Sequence, residues 1–248
     1  MRDLDRMATV AQIVTGHPAA ARVFQSHGID YCCHGDVSLS QSCREEGLDL
    51  EAVLSELSSE LARGDRGPEE DPRSLSTAAL VARIVDRHHG YLRRALPQIA
   101  PIMAKVAGVH GRRNPDLLRI AEAVRALTAS LLPHLEEEEE VLFPLLTARV
   151  PGRGELTREL VRMRADHLEV GKLLAEIRAL TSGFSTPEWG CNTYRVLMAE
   201  LDELEADILR HVHLENHVLA PRFEARAAPA GMQAGGALPR TGALPEGQ

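Results

Sequence analysis

Two segments of the chain repeat one chemical arrangement: His134-x3-Glu138-x2-Val141-Leu142-x-Pro144 and His211-x3-Glu215-x2-Val218-Leu219-x-Pro221. A histidine and a glutamate four positions apart lie on one face of a helix, one turn from each other. In each copy the pair interrupts an apolar ladder with steps of three and four. The first ladder is Leu117, Ile120, Val124, Leu127, Leu131, His134, Glu138, Val141, Leu145; the second is Leu197, Leu201, Leu204, Ile208, His211, Glu215, Val218. The polar residues therefore fall where a helical bundle wants leucine. Burying imidazole and carboxylate there is unfavourable unless something satisfies them, and a metal ion would satisfy both copies.

Each pair is preceded by a helix with a histidine on its own ladder: His167 in Met163, His167, Val170, Leu174, Ile177, and His89 in Val85, His89, Leu92, Leu96, Ile99. His88 fits Ile84, His88, Leu92, Ala95, Ile99 almost as well, so periodicity leaves His88 and His89 open. The duplicated unit brings four imidazoles and two carboxylates towards the middle of a bundle. Nitrogen and oxygen ligands in that ratio suit a pair of iron or manganese ions, and spacing does not separate these from a zinc pair. Bundle cores are where carboxylate-bridged dinuclear sites are built. Six ligands for two metals also leave coordination positions for a small molecule. Among the acids 136–140 the repeat selects Glu138, because Glu137, three residues after His134, has Leu214 as its equivalent. Glu136, Glu137, Glu139 and Glu140 read as a solvated face, His213 and His217 as surface residues, and His110 as part of a turn.

These residues need helices to position them. Residues 1–62 carry short helical patterns (Val10 to Val14, Ala19 to Gln25, Leu39 to Glu46, Leu50 to Leu61), divided by turn signals at His27-Gly28 and His34-Gly35-Asp36. Residues 63–75, charged and rich in Pro and Gly, read as a linker. Residues 76–225 predict four helices at about 76–107, 114–148, 154–182 and 187–225, with Ser76 or Thr77 as the first N-cap. Pro97 and Pro101 are expected to kink or end the first helix and Pro133 to bend the second. The Ala/Gly/Pro-rich tail 226–248 reads as disordered.

Composition supports an all-α protein: 44% hydrophobic, 26% charged and only 3% aromatic residues over 248 positions. The net charge of −8, with no basic stripe, speaks against nucleic acid as a partner. The sequence holds no membrane-spanning apolar run and begins with charges unlike a secretory signal, so a cytoplasmic location is expected. Cys32, Cys33, Cys43 and Cys191 form no zinc pattern, and Cys43 and Cys191 read as structural.

The His/His-x3-Glu pairs and their Val-Leu-x-Pro ends resemble the hemerythrin-like di-iron domain. Asp30-Tyr31-Cys32-Cys33-His34-Gly35 resembles the signature of the small domain fused to it in the RIC (repair of iron centres) family of iron-sulfur cluster repair proteins. The likeness covers about 1–225, and the two parts together are more specific than either alone. It implies a hemerythrin-like up-down four-helix bundle behind a small helical domain. It also implies two non-haem iron ions with carboxylate and oxo bridges, bound terminally by His89, His134, His167 and His211 and bridged by Glu138 and Glu215. Oxygen-carrying hemerythrins use one more histidine, which argues against simple oxygen transport here.

The activity implied is restoration of clusters damaged by oxidative or nitrosative stress, with damaged iron-sulfur proteins as partners and NO, O2 or peroxide as small ligands. Cys32 and Cys33 read either as small buried residues or as exposed thiols that contact iron, NO or a damaged cluster, with His34 lowering their pKa. The resemblance favours the second role, in thiol chemistry or iron transfer. Enzymatic reduction of nitric oxide at the iron pair, and a non-catalytic O2/NO sensor or iron store, stay open as alternatives. Whether the two domains meet within a chain or across a homodimer stays open too.

Overall fold

The computed structural model describes residues 6–63, 70–148 and 152–223. Part of the expected linker, 64–69, and the expected disordered tail, 226–248, lie outside the described residues. The N-terminal helices are α1 (Val10–Gly16), α2 (Ala20–His27), α3 (Leu39–Glu45) and α4 (Leu50–Arg63). Thr9 and Gln12 form a reciprocal capping box at the start of α1, and Ser38 caps α3. Gly28 ends α2 in the left-handed region at φ 70°. Gly35 lies so close to α1 that a Cβ would stand 2.6 Å from the Tyr31 carbonyl oxygen and 2.8 Å from Ala11 Cβ, so only glycine closes this turn.

Four long helical rods follow. The first runs through α5 (Thr77–Ile84), a π turn (Val85–His89) and α6 (Gly90–His110), and Ser76 is its N-cap. The second is α7 (Asp116–Glu137), a π turn (Glu138–Leu142) and α8 (Phe143–Thr147); the third is α9 (Arg153–Leu180). The fourth, α10 (Asn192–His213) with a π turn (Leu214–Leu219), starts at Asn192 rather than near 187 because residues 187–190 close a turn, Gly190 N–H to the Pro187 carbonyl. Helix continues through Pro97, Pro101 and Pro133, so neither Pro97 nor Pro101 ends the first rod as one reading of the sequence expected. Buried apolar residues on either side of each, such as Leu96 and Ile99, Ile99 and Met103, and Leu131 and Leu135, hold the rods in place.

Short connections make sequential rods antiparallel neighbours, α6 against α7 and α7 against α9, and the fourth rod closes the bundle, α10 against α6. The result is an all-α bundle with the N-terminal helices on one side, α1 and α2 touching the fourth rod. One apolar cluster joins the N-terminal module to the bundle, including Val10, Phe24, Tyr31, Leu96, Leu127, Val170 and Leu204. A second cluster, with Leu80, Ile84, Phe143, Met163 and Leu219, fills the other end of the bundle. Along each rod the polar residues of the duplicated motif fall between the two clusters. Among the described residues, no helix is long and apolar enough to cross a membrane.

Candidate metal centre

The duplication extends into the backbone. After Glu138 and after Glu215 the helix widens by one residue: Phe143 N–H bonds the Glu138 carbonyl, and Ala220 N–H bonds the Glu215 carbonyl at 2.8 Å. Each of these five-residue steps runs directly into a proline, Pro144 or Pro221. A proline supplies no N–H and its ring crowds the carbonyl four residues back, and a wider turn accommodates both. The first rod has the same device beside its histidines, with Gly90 N–H bonded to the Val85 carbonyl.

The π turns correct the ladders. Beyond Glu138 the buried positions are Leu142, Phe143 and Leu146, whereas Val141 and Leu145, which the three-four spacing placed in the core, are half-buried. In the first rod Ile84 and His89 are both fully buried, a step of five that neither competing ladder contains. His89 joins the polar layer, and His88 stands behind it, its Nδ1 2.9 Å from Asp207 Oδ1 and its ring stacked on His211.

His89, His134, Glu138, His167, His211 and Glu215 converge in two overlapping groups: His89, His211, Glu138 and Glu215 in one, His134, His167, Glu138 and Glu215 in the other. Both glutamates belong to both groups. His89 Nε2 lies 3.1 Å from His211 Nε2, and His134 Nε2 lies 3.1 Å from His167 Nε2. Carboxylate oxygens close in around them, Glu215 Oε1 at 3.0 Å from His211 Nε2 and Oε2 at 3.2 Å from His167 Nε2, and Glu138 Oε1 at 3.3 Å from His134 Nε2.

The outer ring nitrogens determine what these contacts mean. His89 Nδ1 faces Glu139 Oε1 at 2.7 Å, His134 Nδ1 faces Asp166 Oδ2 at 3.3 Å, and His167 Nδ1 faces Asn216 Oδ1 at 3.1 Å. All three outer partners are acceptors, so each Nδ1 donates and a neutral ring presents the lone pair of Nε2 inwards. In the His134–His167 pair two nitrogen lone pairs then face each other, beside two buried carboxylates, none of whose four oxygens has a hydrogen-bond partner of ordinary geometry. Only a cation, proton or metal, relieves that arrangement. Its electrostatics agree. Burial opposes charge on His211, yet Glu215 and Glu138 outweigh it and push its pKa up to about 10. Burial favours the neutral acids, but the surrounding histidines hold Glu215 well below, and Glu138 below, the usual carboxylate value. The donor set fits metal ions.

Several sequence expectations need correction. Glu139 is no part of a solvated face, since it accepts from His89 and from Arg93 Nη1 at 2.7 Å. Glu137 pairs with Arg162, which also holds Glu159 at 2.7 Å beside a cleft that reaches His134 and Glu138. His213 is buried rather than on the surface, its Nε2 3.0 Å from Thr15 Oγ1 and its Nδ1 3.2 Å from the Tyr31 carbonyl; burial pushes its pKa down to about 4. His217 is largely buried too, near Asp36.

Cys32 is buried, and its hydrogen bond with Cys33, burial and the nearby charges raise its pKa. His34 does not lower the Cys32 pKa as expected; its Nδ1 engages Asp30 Oδ2 at 2.7 Å. Asp30, Cys32 and Cys33 nonetheless form a compact group, the two sulfurs 3.5 Å apart and Cys33 half-buried. Cys43 is buried, as a structural cysteine should be, whereas Cys191 is exposed, its sulfur 3.3 Å from His110 Nε2. Sequence reasoning missed Glu139, Asp166 and Asn216, each adjacent in sequence to a residue it had singled out.

Comparison with known proteins agrees with this geometry. Residues 80–223 match the Hemerythrin HHE cation binding domain, and residues 6–61 match ScdA_N, a domain of unknown function. The chain is 34% identical over 219 residues to the iron-sulfur cluster repair protein ScdA of Staphylococcus haemolyticus, covering 86% of this chain and 96% of the relative. It is 30% identical over 218 residues to the iron-sulfur cluster repair protein YtfE of Yersinia pseudotuberculosis, covering 88% and 96% respectively. With both domains matched in order and such relatives spanned nearly end to end, the chain belongs to the RIC family, a hemerythrin-like cation-binding bundle joined to an ScdA_N domain.

Proposed function

We propose that the protein holds two iron ions between its bundle helices and restores iron-sulfur clusters damaged by oxidative or nitrosative stress. The observation that carries this reading is the sharing of Glu138 and Glu215 by both His pairs, which suits two neighbouring ions bridged by carboxylates. The family relatives, named for cluster repair, supply the biological direction. His89 and His211 would hold one ion, His134 and His167 the other. When bound, an iron pair with only six protein ligands supplies redox-active positions open to a small molecule such as NO, O2 or peroxide.

The chain's own residues do the rest. Glu139, Asp166 and Asn216 aim three imidazoles inwards by accepting their Nδ1 protons. The two apolar clusters exclude bulk water from both sides of the polar layer. A polar crevice of about 10 Å³ beside Arg162, lined also by Glu137, Glu159 and Asp166, adjoins the layer at His134 and Glu138.

Iron is here also the cargo, delivered to a damaged or empty cluster. Cys32 and Cys33 are the thiols proposed to handle it. Cys32 stays protonated until a cation displaces its proton, which suits transient capture better than nucleophilic attack.

The test incubates the iron-loaded protein with an enzyme whose cluster has been damaged by peroxide or nitric oxide. Recovery of that enzyme should outpace recovery with the same amount of free ferrous iron plus thiol. Equal rates would overturn the reading.

A further inference from the structure

Asn216 has two partners in different domains. Its Oδ1 takes the His167 Nδ1 proton at 3.1 Å, and its Nδ2 donates to the Cys32 carbonyl at 2.9 Å. The side chain is buried. The Cys32 oxygen can only accept, so the amide has one workable orientation, and that orientation selects the His167 tautomer with Nε2 free to face the centre. The outer partners of His89 and His134 are carboxylates, and His211 Nδ1 has no hydrogen-bond partner. Among the described residues, His167 is thus the one histidine of the four whose outer partner is itself bonded to the N-terminal domain.

The same short segment is held at three successive residues. His213 Nδ1 lies 3.2 Å from the Tyr31 carbonyl, Asn216 bonds the Cys32 carbonyl, and the Cys33 sulfur lies 3.7 Å from the His167 carbonyl oxygen. Asp30 Oδ1 stiffens it from within by accepting the backbone N–H groups of Cys32 at 3.0 Å and Cys33 at 2.8 Å. A force on the His167 ring therefore reaches the Cys32 carbonyl through the Asn216 amide.

We propose that Asn216 is a positioning residue that couples loading of the His134–His167 half of the centre to seating of the Cys32–Cys33 segment. The proposal rests on the metal reading of that centre. A cation on His167 Nε2 fixes the ring, the ring fixes the amide, and the amide fixes the Cys32 carbonyl. By linkage, seating of the segment strengthens metal binding by the same factor.

The experiment uses the full chain carrying Cys191→Ser, which removes the exposed thiol while Cys43 stays buried. Metal-free protein is loaded anaerobically with ferrous ion; stoichiometry is measured, and alkylation of Cys33 by iodoacetamide is followed by mass spectrometry. Loading should slow alkylation about 5-fold or more, the low end of ordinary coupling energies. Asn216→Asp keeps an acceptor for His167 but cannot donate to Cys32. It should lose the loading-dependent protection when compared with the parent chain at ferrous concentrations that give the two the same measured occupancy. Asn216→Leu should lose the protection and also weaken the second equivalent.

Metal uptake by the parent chain without any change in alkylation would overturn the coupling alone. So would equal protection in the parent and Asn216→Asp, which would mean that the thiols take the iron directly. Failure of the parent chain to bind ferrous ion would sink the metal reading itself, and the coupling with it. If a variant misfolds, metal uptake without protection in the parent chain still overturns the coupling.

Discussion

The Nδ1 of His89 donates to Glu139 Oε1 across 2.7 Å, and Arg93 holds the same oxygen from the other side at the same distance. A residue immediately after one of the central glutamates thus orients a histidine on a different rod. Arg93 and His89 hold the Glu139 carboxyl below its usual pKa against the opposing effect of burial.

Glu139→Gln keeps an acceptor near His89 but removes the charge. Metal affinity should fall by about 10- to 100-fold, as is common when the outer partner of a ligating histidine is changed. Competition titration against a chelator measures this, with the exposed Glu140→Gln as a control that should bind as tightly as the parent. If the two variants behave alike, Glu139 plays no such part.

Glu138→Gln and Glu215→Gln preserve volume while removing a shared carboxylate. In the parent protein, loading with ferrous ion should raise Tm, because a ligand that binds only the folded state stabilises it. Either substitution should abolish most of that rise and lower the bound metal below two equivalents. Differential scanning calorimetry with metal analysis reads both, and an undiminished rise in both variants would count against shared ligation.

Glu205 is almost wholly buried and is held by Arg178, whose Nε donates to Oε1 at 2.9 Å, and by Gln25 Nε2 at 2.8 Å from the N-terminal module. Arg178→Met leaves that carboxylate with one neutral partner. Removing one member of a buried pair costs about 3–5 kcal/mol, and the partial exposure of Arg178 brings the expected loss to about 2–3 kcal/mol. Urea denaturation measures it; a loss under about 0.5 kcal/mol would place the pair with ordinary surface bridges.

The Cys191 thiol, hydrogen-bonded to His110 and to backbone N–H groups, has a pKa lowered to about 7. The thiolate is the reactive form, so alkylation of Cys191 should rise through a midpoint near pH 7 and level off above it. His110→Ala should move the midpoint up, towards that of an ordinary thiol. A pH profile of labelling, resolved by peptide mass, checks both; identical profiles would remove His110 as the cause.

The convergence of six side chains was legible in the sequence because their spacing obeys the helix itself. Residues four apart share a face whatever else happens, and a duplicated polar pair on an apolar ladder calls for a common partner. The choice between His88 and His89 was not legible by the same rule. Each candidate ladder carried a residue that the structure buries, Ile84 in one and His89 in the other, and a π turn joins them. Periodic reasoning assumes one residue spacing along a whole helix and cannot place an inserted step. The prolines at 144 and 221 were visible as part of the repeat, but not as what a widened turn accommodates.

From the chain alone came the all-α class, the rods, the duplication and the chemical type of the centre, since local periodicity and residue chemistry govern those. Only the packed molecule decided which groups stand behind the histidines and what covers them. Glu139 meets His89, and Asn216 meets both His167 and Cys32, across separate elements, and no spacing along one strand of sequence encodes a distance between two helices. His213 illustrates the same limit: its helical position points away from the centre, and it is buried because another domain packs there.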